Sequence, residues 1–231
     1  MSPFKDLPSK IPLLSLPNMV LIPGSEVPIA LFEEGHVRMV RDVLGTHRLI
    51  VIALEKRNND PGSAPGRRSV NTIACLSKIL THESLPDGRF NVTFMGLRKA
   101  IMGPEHAIFP YRLVEVRVLA KEKLSDDETL TFKSLRTELE RLVIQSWWQG
   151  ILTYLPEAGI ERLSRVHDNN FIMLLCFMLK YNGSEMQEIL EAEDPLQRLM
   201  LIRSTFEDRL LQAAVHHDTG PQNTEEWEFC H

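Results

Sequence analysis

Two β-rich segments in the first half of this 231-residue chain constrain its fold more than any other feature. They cover residues 11–32 and 70–98, and prolines interrupt the first of them. Because proline fixes φ and removes a ladder donor, Pro17 and Pro23 indicate a shaped loop over residues 18–22 between two strands. Helical periodicity replaces this pattern in the second half, so the sequence predicts an α+β fold.

Six strands and one helix are predicted in the first half. Val37, Val40 and Leu44 recur at spacings of three and four, which predicts an amphipathic helix over residues 34–44. The pair Asp87-Gly88 provides the positive φ that a tight hairpin requires. This number of strands is enough for a small closed or nearly closed barrel. The predicted strands are residues 11–16, 27–32, 48–54, 70–82, 89–101 and 111–120.

Local capping signals divide the second half into helices. Ser125 with Glu128 has the pattern of a capping box, and the apolar run over residues 171–179 predicts a buried helix. Further signals are Asp168 as the cap of that helix, Gly183 as its end, Ser184 with Gln187 as a second capping box, and Asp194-Pro195 as the start of the last helix.

The change of pattern near residue 124 predicts two subdomains. The β-rich one would cover residues 9–123 and the helical one residues 124–214. The polar composition of the ends predicts flexible termini over residues 1–8 and 215–231.

Composition excludes some classes of protein. No apolar run approaches the ~20 residues that a membrane-spanning helix needs. No secretory signal is visible at the N-terminus, and the three cysteines, Cys75, Cys176 and Cys230, are widely spaced. An odd number of dispersed cysteines is typical of free thiols in a reducing compartment, so we expect a cytoplasmic protein.

Charge is distributed unevenly. Residues 1–123 hold 17 Lys and Arg against 12 Asp and Glu, whereas residues 124–231 hold 9 against 19. A basic first half can indicate contact with nucleic acid. Its basic residues are scattered, however, and no cluster exceeds Arg67-Arg68, so ordinary surface charge is the simpler interpretation.

Several blocks, in their order and spacing, resemble the substrate-binding N-terminal domain of Lon proteases. Within that family they resemble the stand-alone proteins that carry this domain only. The resemblance covers residues 11–212. Asn71 replaces a usual glycine, and Gly35-His36 replaces a usual proline-arginine-tyrosine portion, so the strand edge and first helix differ in detail. The matching blocks are Ile11-Pro-Leu-Leu-Ser-Leu16, Val20-Leu-Ile-Pro-Gly24, Pro28-Ile-Ala-Leu-Phe32, Leu85-Pro-Asp-Gly88 and Gly96-Leu-Arg98.

The resemblance implies an N-terminal PUA-like subdomain of β-barrel type followed by a C-terminal α-helical bundle. In the protease, this region helps to recognise protein substrates and to assemble the complex. The ATPase and Ser-Lys protease domains of Lon would follow it, which implies a protein without catalytic activity.

Motifs for catalysis or metal binding are not supported by the residues. The loop over residues 62–69 lacks the lysine of a phosphate-binding loop and contains Pro65. Ser77 and Lys78 are neighbours on a strand and therefore point to opposite faces. The spacing of His216, His217, Cys230 and His231 matches no zinc pattern. We expect a non-enzymatic protein without cofactor or metal.

The favoured function is recognition of polypeptide, either unfolded segments or a partner protein, with an adaptor or regulatory role in proteolysis. The alternative is RNA binding through the PUA-like barrel, and an enzyme acting through a spatial cluster is a third hypothesis. No membrane contact is expected, and the oligomeric state stays open. Candidate partner-binding residues are Met19, Val20, Leu21, Ile22, Phe32 and Trp148. For the loop over residues 19–22, the alternative to partner contact is anchoring under the helices. For Trp148, the alternative is burial in the core of the helical bundle.

Overall fold

A computed structural model describes residues 7–56, 69–108, 110–148 and 163–218. Six strands form one sheet in the order β2-β5-β4-β3-β1-β6, and β6 also pairs with β5. Only the β1–β3 pairing is parallel among these strands. The predicted α+β class with six strands and one helix in the first half is confirmed. The strands are β1 (Ile11–Leu16), β2 (Glu26–Leu31), β3 (Leu49–Leu54), β4 (Ile73–Ser84), β5 (Phe90–Ile108) and β6 (Tyr111–Val118).

The longest strand, β5, extends further than its sequence predicts. The predicted strand ends at residue 101, yet the observed strand continues through Gly103 and Pro104 to Ile108. Its register against β6 shifts between Met102 and Glu105. This irregularity lets the strand carry a proline without a ladder donor at that position. The extra length lets β5 pair with β2 and β4 first and with β6 at its end.

Both faces of the sheet are covered by apolar side chains. In β3, Ile50 and Ile52 belong to the larger core cluster, whereas Val51 and Ala53 belong to a second cluster on the other face. Successive side chains of a strand point to opposite faces, so a continuous apolar run is what burial on both faces requires. The larger cluster includes side chains from the helices of the second half.

Five α-helices are described. The helix between β2 and β3 is α1 (Glu34–Leu44), and the others are α2 (Asp126–Trp148), α3 (Asp168–Met178), α4 (Gly183–Glu191) and α5 (Pro195–Asp218). Helices α2, α3 and α4 each contact α5. In the described part of the chain, no helix combines the length and apolar character that crossing a membrane requires.

Two of the predicted helix caps are confirmed. The Ser125 N–H donates to Glu128 Oε2 at 2.7 Å, and the Glu128 N–H donates back to Ser125 Oγ at 3.3 Å. At the start of α5, Asp194 Oδ1 accepts from the Gln197 N–H at 2.9 Å. Short-range patterns determine such contacts, which explains why the sequence alone predicts them.

Other predicted caps are wrong. Asp168 is the first residue of α3 and forms an ion pair with Arg136 on α2, so its carboxylate does not cap its own helix. Gly183 begins α4, and the capping box there is formed by Asn182 and Glu185, each two residues before its predicted counterpart. An asparagine caps as well as a serine, and its position after Tyr181 places it at the true helix start.

The predicted subdomain boundaries at residues 9–123 and 124–214 stay predictions. Helix α5 extends through Asp218, so residues 215–218 are helical where a flexible terminus was predicted. The predicted loop over residues 58–68 and the tail beyond Asp218 lie outside the described residues.

Candidate recognition cleft

Three of the predicted partner-binding side chains are in the core. Val20, Leu21 and Ile22 are each 0% exposed and belong to the larger apolar cluster. The Ser25 hydroxyl donates to the Ile22 carbonyl oxygen at 2.8 Å and holds the end of this loop. A fully buried side chain offers no surface to a partner, so for these three the structure supports the alternative, which is anchoring.

The remaining predicted residues differ from one another. Met19 is half-buried and packs against the core, whereas Phe32 is 72% exposed just after β2. The side chain of Trp148 lies outside the described part of the structure. Phe32 and Met19 therefore remain available as contact points.

A cleft of about 320 Å³ lies where the sheet meets the helices. Five segments build it: the turn before β2, the middle of β5, the chain after β6, and the first turns of α3 and α5. Its size falls within the range of ligand-binding pockets. The lining residues are Pro23, Gly24, Met95, Gly96, Leu97, Arg98, Lys99, Ala120, Lys121, Glu122, His167, Asn169 and Pro195.

Two glycines allow the walls of the cleft to approach each other. A Cβ on Gly96 would lie 2.2 Å from the Ile22 carbonyl oxygen, so only glycine fits under the buried loop. A Cβ on Gly24, whose φ is +80°, would lie 2.3 Å from Asn169 Nδ2. The start of α3 is thus seated directly on the turn before β2. Next to it, Asn170 Oδ1 accepts from the Glu26 N–H at 2.7 Å.

Buried charges form one wall of the cleft. Arg198 is 0% exposed and donates to both carboxylate oxygens of Glu122, at 2.7 and 2.6 Å. Lys99 Nζ lies 3.1 Å from Glu122 Oε1 and donates to the Ala192 carbonyl oxygen at 2.6 Å. Arg198 also donates to the Ile189 carbonyl oxygen at 2.9 Å. These contacts tie β5, the chain after β6, the end of α4 and α5 together.

Neither Ser77 nor Cys75 is arranged as a nucleophile. Ser77 is buried and its hydroxyl donates to the Cys75 carbonyl oxygen, while Lys78 is exposed. Burial raises the pKa of the Cys75 thiol to about 12, so this group stays protonated near neutral pH. Within the described ranges, no three His, Cys, Asp or Glu side chains lie close enough to hold a metal ion.

Sequence reasoning did not find this cleft. Its lining residues come from segments separated by up to 172 positions in the chain, from Pro23 to Pro195. The sequence offered one signal of the cleft, Gly96 in the Gly96-Leu-Arg98 block, because a glycine within a strand can mark a place where another backbone segment approaches closely. The partner of that approach, the carbonyl of Ile22, is not visible in the sequence.

The fold is an α+β domain in which side chains from the helices and one face of the sheet share an apolar core, and a cleft lies where the two meet. A family model described as the ATP-dependent protease La (LON) substrate-binding domain matches residues 10–206. The chain belongs to this family, which confirms the resemblance described above.

Curated relatives agree with this assignment. A Lon protease of Trichlorobacter lovleyi is 28% identical over 195 residues, covering 84% of this chain and 23% of the relative. A Lon protease of Amoebophilus asiaticus is 26% identical over 222 residues, covering 91% and 26%. The chain therefore spans about a quarter of the length of these relatives.

Two solved structures share the fold. The N-terminal domain of a Mycobacterium avium complex Lon protease has a TM-score of 0.61 at 16% identity, covering 86% of this chain and 98% of that one. A Lon N-terminal domain protein from Xanthomonas campestris has a TM-score of 0.54 at 18% identity, covering 84% and 97%. At these identities the likeness concerns the fold alone.

Proposed function

We propose that this chain is a non-catalytic module that recognises polypeptide, either unfolded segments or a partner protein. The observation that carries the proposal is the family match over residues 10–206 together with the open cleft between sheet and helices. The cleft mixes apolar side chains such as Met95, Leu97 and Pro195 with polar ones. A mixed lining suits a polypeptide, which presents both kinds of group.

Phe32 is the second contact point that we propose, beside the cleft. It directly follows Leu31, the last residue of β2, whereas Gly24, which lines the cleft, lies shortly before the start of the same strand. At ~3.3 Å per residue, a stretch of eight extended residues measures about 26 Å. A segment of this length could contact both the cleft and the exposed Phe32 ring. Capture would then be weak at each point and selective only for chains that are unfolded over that length.

Strand addition at the outer edge of β2 is the less favourable mode. The Glu26 N–H already donates to Asn170 Oδ1 on α3. Amides two residues apart on a strand point the same way, and the next one outward belongs to Pro28, which has no N–H. Only Ala30 remains as an outward donor on this strand. Side-chain capture is therefore the mode that we propose.

RNA binding, the alternative from the sequence, receives less support. Several basic side chains of the first half are already engaged with acids: Arg38 with Asp42, Arg89 with Asp87, Arg112 with Glu105, and Lys99 with Glu122. Paired side chains contribute little to the neutralisation of phosphates that nucleic-acid binding depends on.

We propose a cellular role from the same two observations, the family match and the cleft. As a polypeptide-binding module, the chain would act as an adaptor or regulator of proteolysis in the cytoplasm. Crosslinking in native extract, followed by mass spectrometry of protein and RNA, would identify what it contacts.

Binding to a chemically unfolded protein tests the central proposal. The assay is fluorescence anisotropy of a labelled, reduced and carboxymethylated globular protein, compared with the same protein in its native fold and with a labelled single-stranded RNA. We expect binding of the unfolded protein only. Phe32→Ala should weaken it, whereas Leu130→Ala, a control of similar exposure on α2, should not.

No binding of the unfolded protein would contradict the proposal. Binding of RNA with a steep loss of affinity as salt rises would support the alternative instead.

A further inference from the structure

The outer face of β2 carries apolar side chains where an exposed strand normally carries polar ones. Its inward residues are buried or packed against the core: Val27, Ile29 and Leu31. The alternate positions Pro28, Ala30 and Phe32 are all exposed. Along a strand with one face in water, outward positions are usually polar, so three successive apolar ones indicate a contact surface. We call Pro28, Ala30 and Phe32 the β2 stripe.

The β2 stripe continues into the cleft. Met95 on β5 lies opposite Glu26, the first residue of β2, and it also lines the cleft. From Glu26 to Phe32 the strand measures about 20 Å at ~3.3 Å per residue. An extended segment of about six residues therefore matches the stripe in length.

Acids are concentrated at the Phe32 end of the stripe. Glu33 and Glu34 follow Phe32 directly, and both are exposed. Glu83 on β4 is also exposed and lies two strands from Ala30 in the same row of the sheet. Glu34 begins α1, whose positive end offsets only about half a charge. The Phe32 end therefore attracts cations.

The basic side chains described near this end are held by other groups. His36 lies 3.6 Å from Glu33 and compensates its charge only when protonated. The exposed Lys78 lies opposite Met95, at the cleft end of the stripe. The other contacts are Arg38 with Asp42 at 3.1 Å, Arg89 with Asp87 at 2.6 Å, and Arg41 over the Phe90 ring at 5.6 Å.

We propose that the β2 stripe binds an extended polypeptide segment in which apolar residues adjoin Lys or Arg. The apolar side chains would lie on Pro28, Ala30 and Phe32, and the basic ones beside Glu33 and Glu34. Complementary charge favours such a partner and disfavours an acidic one. The inference rests on the proposed function and gives it a preference for basic, apolar segments.

The test compares peptides that differ only in charge. A labelled core of alternating leucine and serine carries two lysines, two glutamines or two glutamates at one end. Each peptide is made with this pair before the core and after it, because the stripe does not fix the direction of the bound chain. Anisotropy at low salt, where surface charges are least screened, measures binding to the full chain. In one direction, we expect the lysine form to bind about tenfold more tightly than the glutamate form, with the glutamine form between them.

Removal of the acids should reduce this preference. In Glu33→Gln/Glu34→Gln, we expect the ratio between the lysine and glutamate forms to fall to about threefold or less. The matched control is Glu188→Gln/Asp208→Asn, which removes the same net charge from exposed positions on α4 and α5. The control should leave the ratio unchanged.

A second pair of variants tests the apolar part of the surface. Ala30→Gln places a polar side chain in the middle of the stripe and should weaken binding of the lysine form severalfold. Leu130→Gln makes a similar change at an exposed apolar residue of α2 and should not weaken it.

The possible outcomes distinguish this inference from the proposed function. Equal binding of the lysine, glutamine and glutamate forms overturns the inference while recognition of polypeptide stands. An equal fall of the ratio in both double variants overturns it as well, because the preference would then come from the net charge of the whole chain. If no peptide binds but the unfolded protein does, only the inference fails. If the unfolded protein also fails to bind, the proposed function fails with it.

Discussion

Replacement of Arg198 by methionine should destabilise the whole molecule. Arg198 is fully buried on α5, and it contacts both carboxylate oxygens of Glu122 and the Ile189 carbonyl oxygen. Ile189 lies in the last turn of α4, where carbonyls have no partner within the helix. Methionine fills a similar volume without these three hydrogen bonds, so the change removes the charge and the contacts but leaves no large cavity.

The expected loss follows from what the substitution leaves behind. Glu122 is only 13% exposed and would keep one cation, Lys99, at 3.1 Å. Removal of one partner from a buried ion pair costs about 3–5 kcal/mol. Because Lys99 still compensates part of the Glu122 charge, we expect a decrease of the free energy of unfolding near the lower limit, about 3 kcal/mol. For a domain of this size, this decrease corresponds to a shift in Tm of about 6–12 °C.

Urea unfolding followed by circular dichroism measures the change, with calorimetry as a second probe. Arg203→Met is the matched control, because Arg203 lies on the same helix and is ion-paired with Glu138 and Glu207 but is 44% exposed. Exposed pairs contribute at most about 1 kcal/mol. If Arg198→Met costs no more than Arg203→Met, the buried network does not hold the sheet and helices together, and our account of the cleft wall is refuted.

Three further predictions concern the backbone, a cap and a thiol. Gly96→Ala should lower the free energy of unfolding in urea by more than about 3 kcal/mol, because its Cβ would collide with the Ile22 carbonyl oxygen. Gly88→Ala, at φ +86° in open space, should lower it by only about 1 kcal/mol. Equal losses in the two variants would contradict the contact between Gly96 and Ile22. Asn182→Ala removes a capping box and should cost about 1 kcal/mol, and no change would mean that α4 is held by packing alone. Burial raises the pKa of Cys75 to about 12, so the native thiol should resist alkylation at pH values near the ordinary cysteine pKa of about 8.5. The free energy of unfolding should fall as the pH rises above about 8.5, because the unfolded chain loses the thiol proton first. Rapid alkylation of native Cys75 would show that it is exposed.

Local structure was largely predictable. Period-two alternation, continuous apolar runs and Asp87-Gly88 predicted the strands and the hairpin, in which the Gly88 N–H donates to the Leu85 carbonyl oxygen at 3.0 Å. The capping box of Ser125 and Glu128 was also predictable. These signals involve residues a few positions apart, so the chain needs no tertiary context to express them.

Errors arose where a local signal competed with a distant partner. Asp168 has the pattern of a cap, but Arg136 on another helix binds its carboxylate. Residues 20–22 were candidate contacts in a loop between prolines, yet their side chains lie in the apolar cluster that also contains side chains from the helices of the second half. The strand predicted to end at residue 101 is longer, because its pairing with β6 continues across a register shift.

The sequence by itself determined the α+β class, the strands, the limits of α1, the starts of α2 and α5, and the family, because all of these follow from patterns within short windows and from their order. Tertiary structure alone decided which side chains are accessible and what surrounds the cleft. Arg198 meets Glu122 across 76 positions, and Asn169 meets Gly24 across an interval nearly twice as long. Such contacts depend on how the packed elements are placed in space, and no periodicity along the chain encodes that placement.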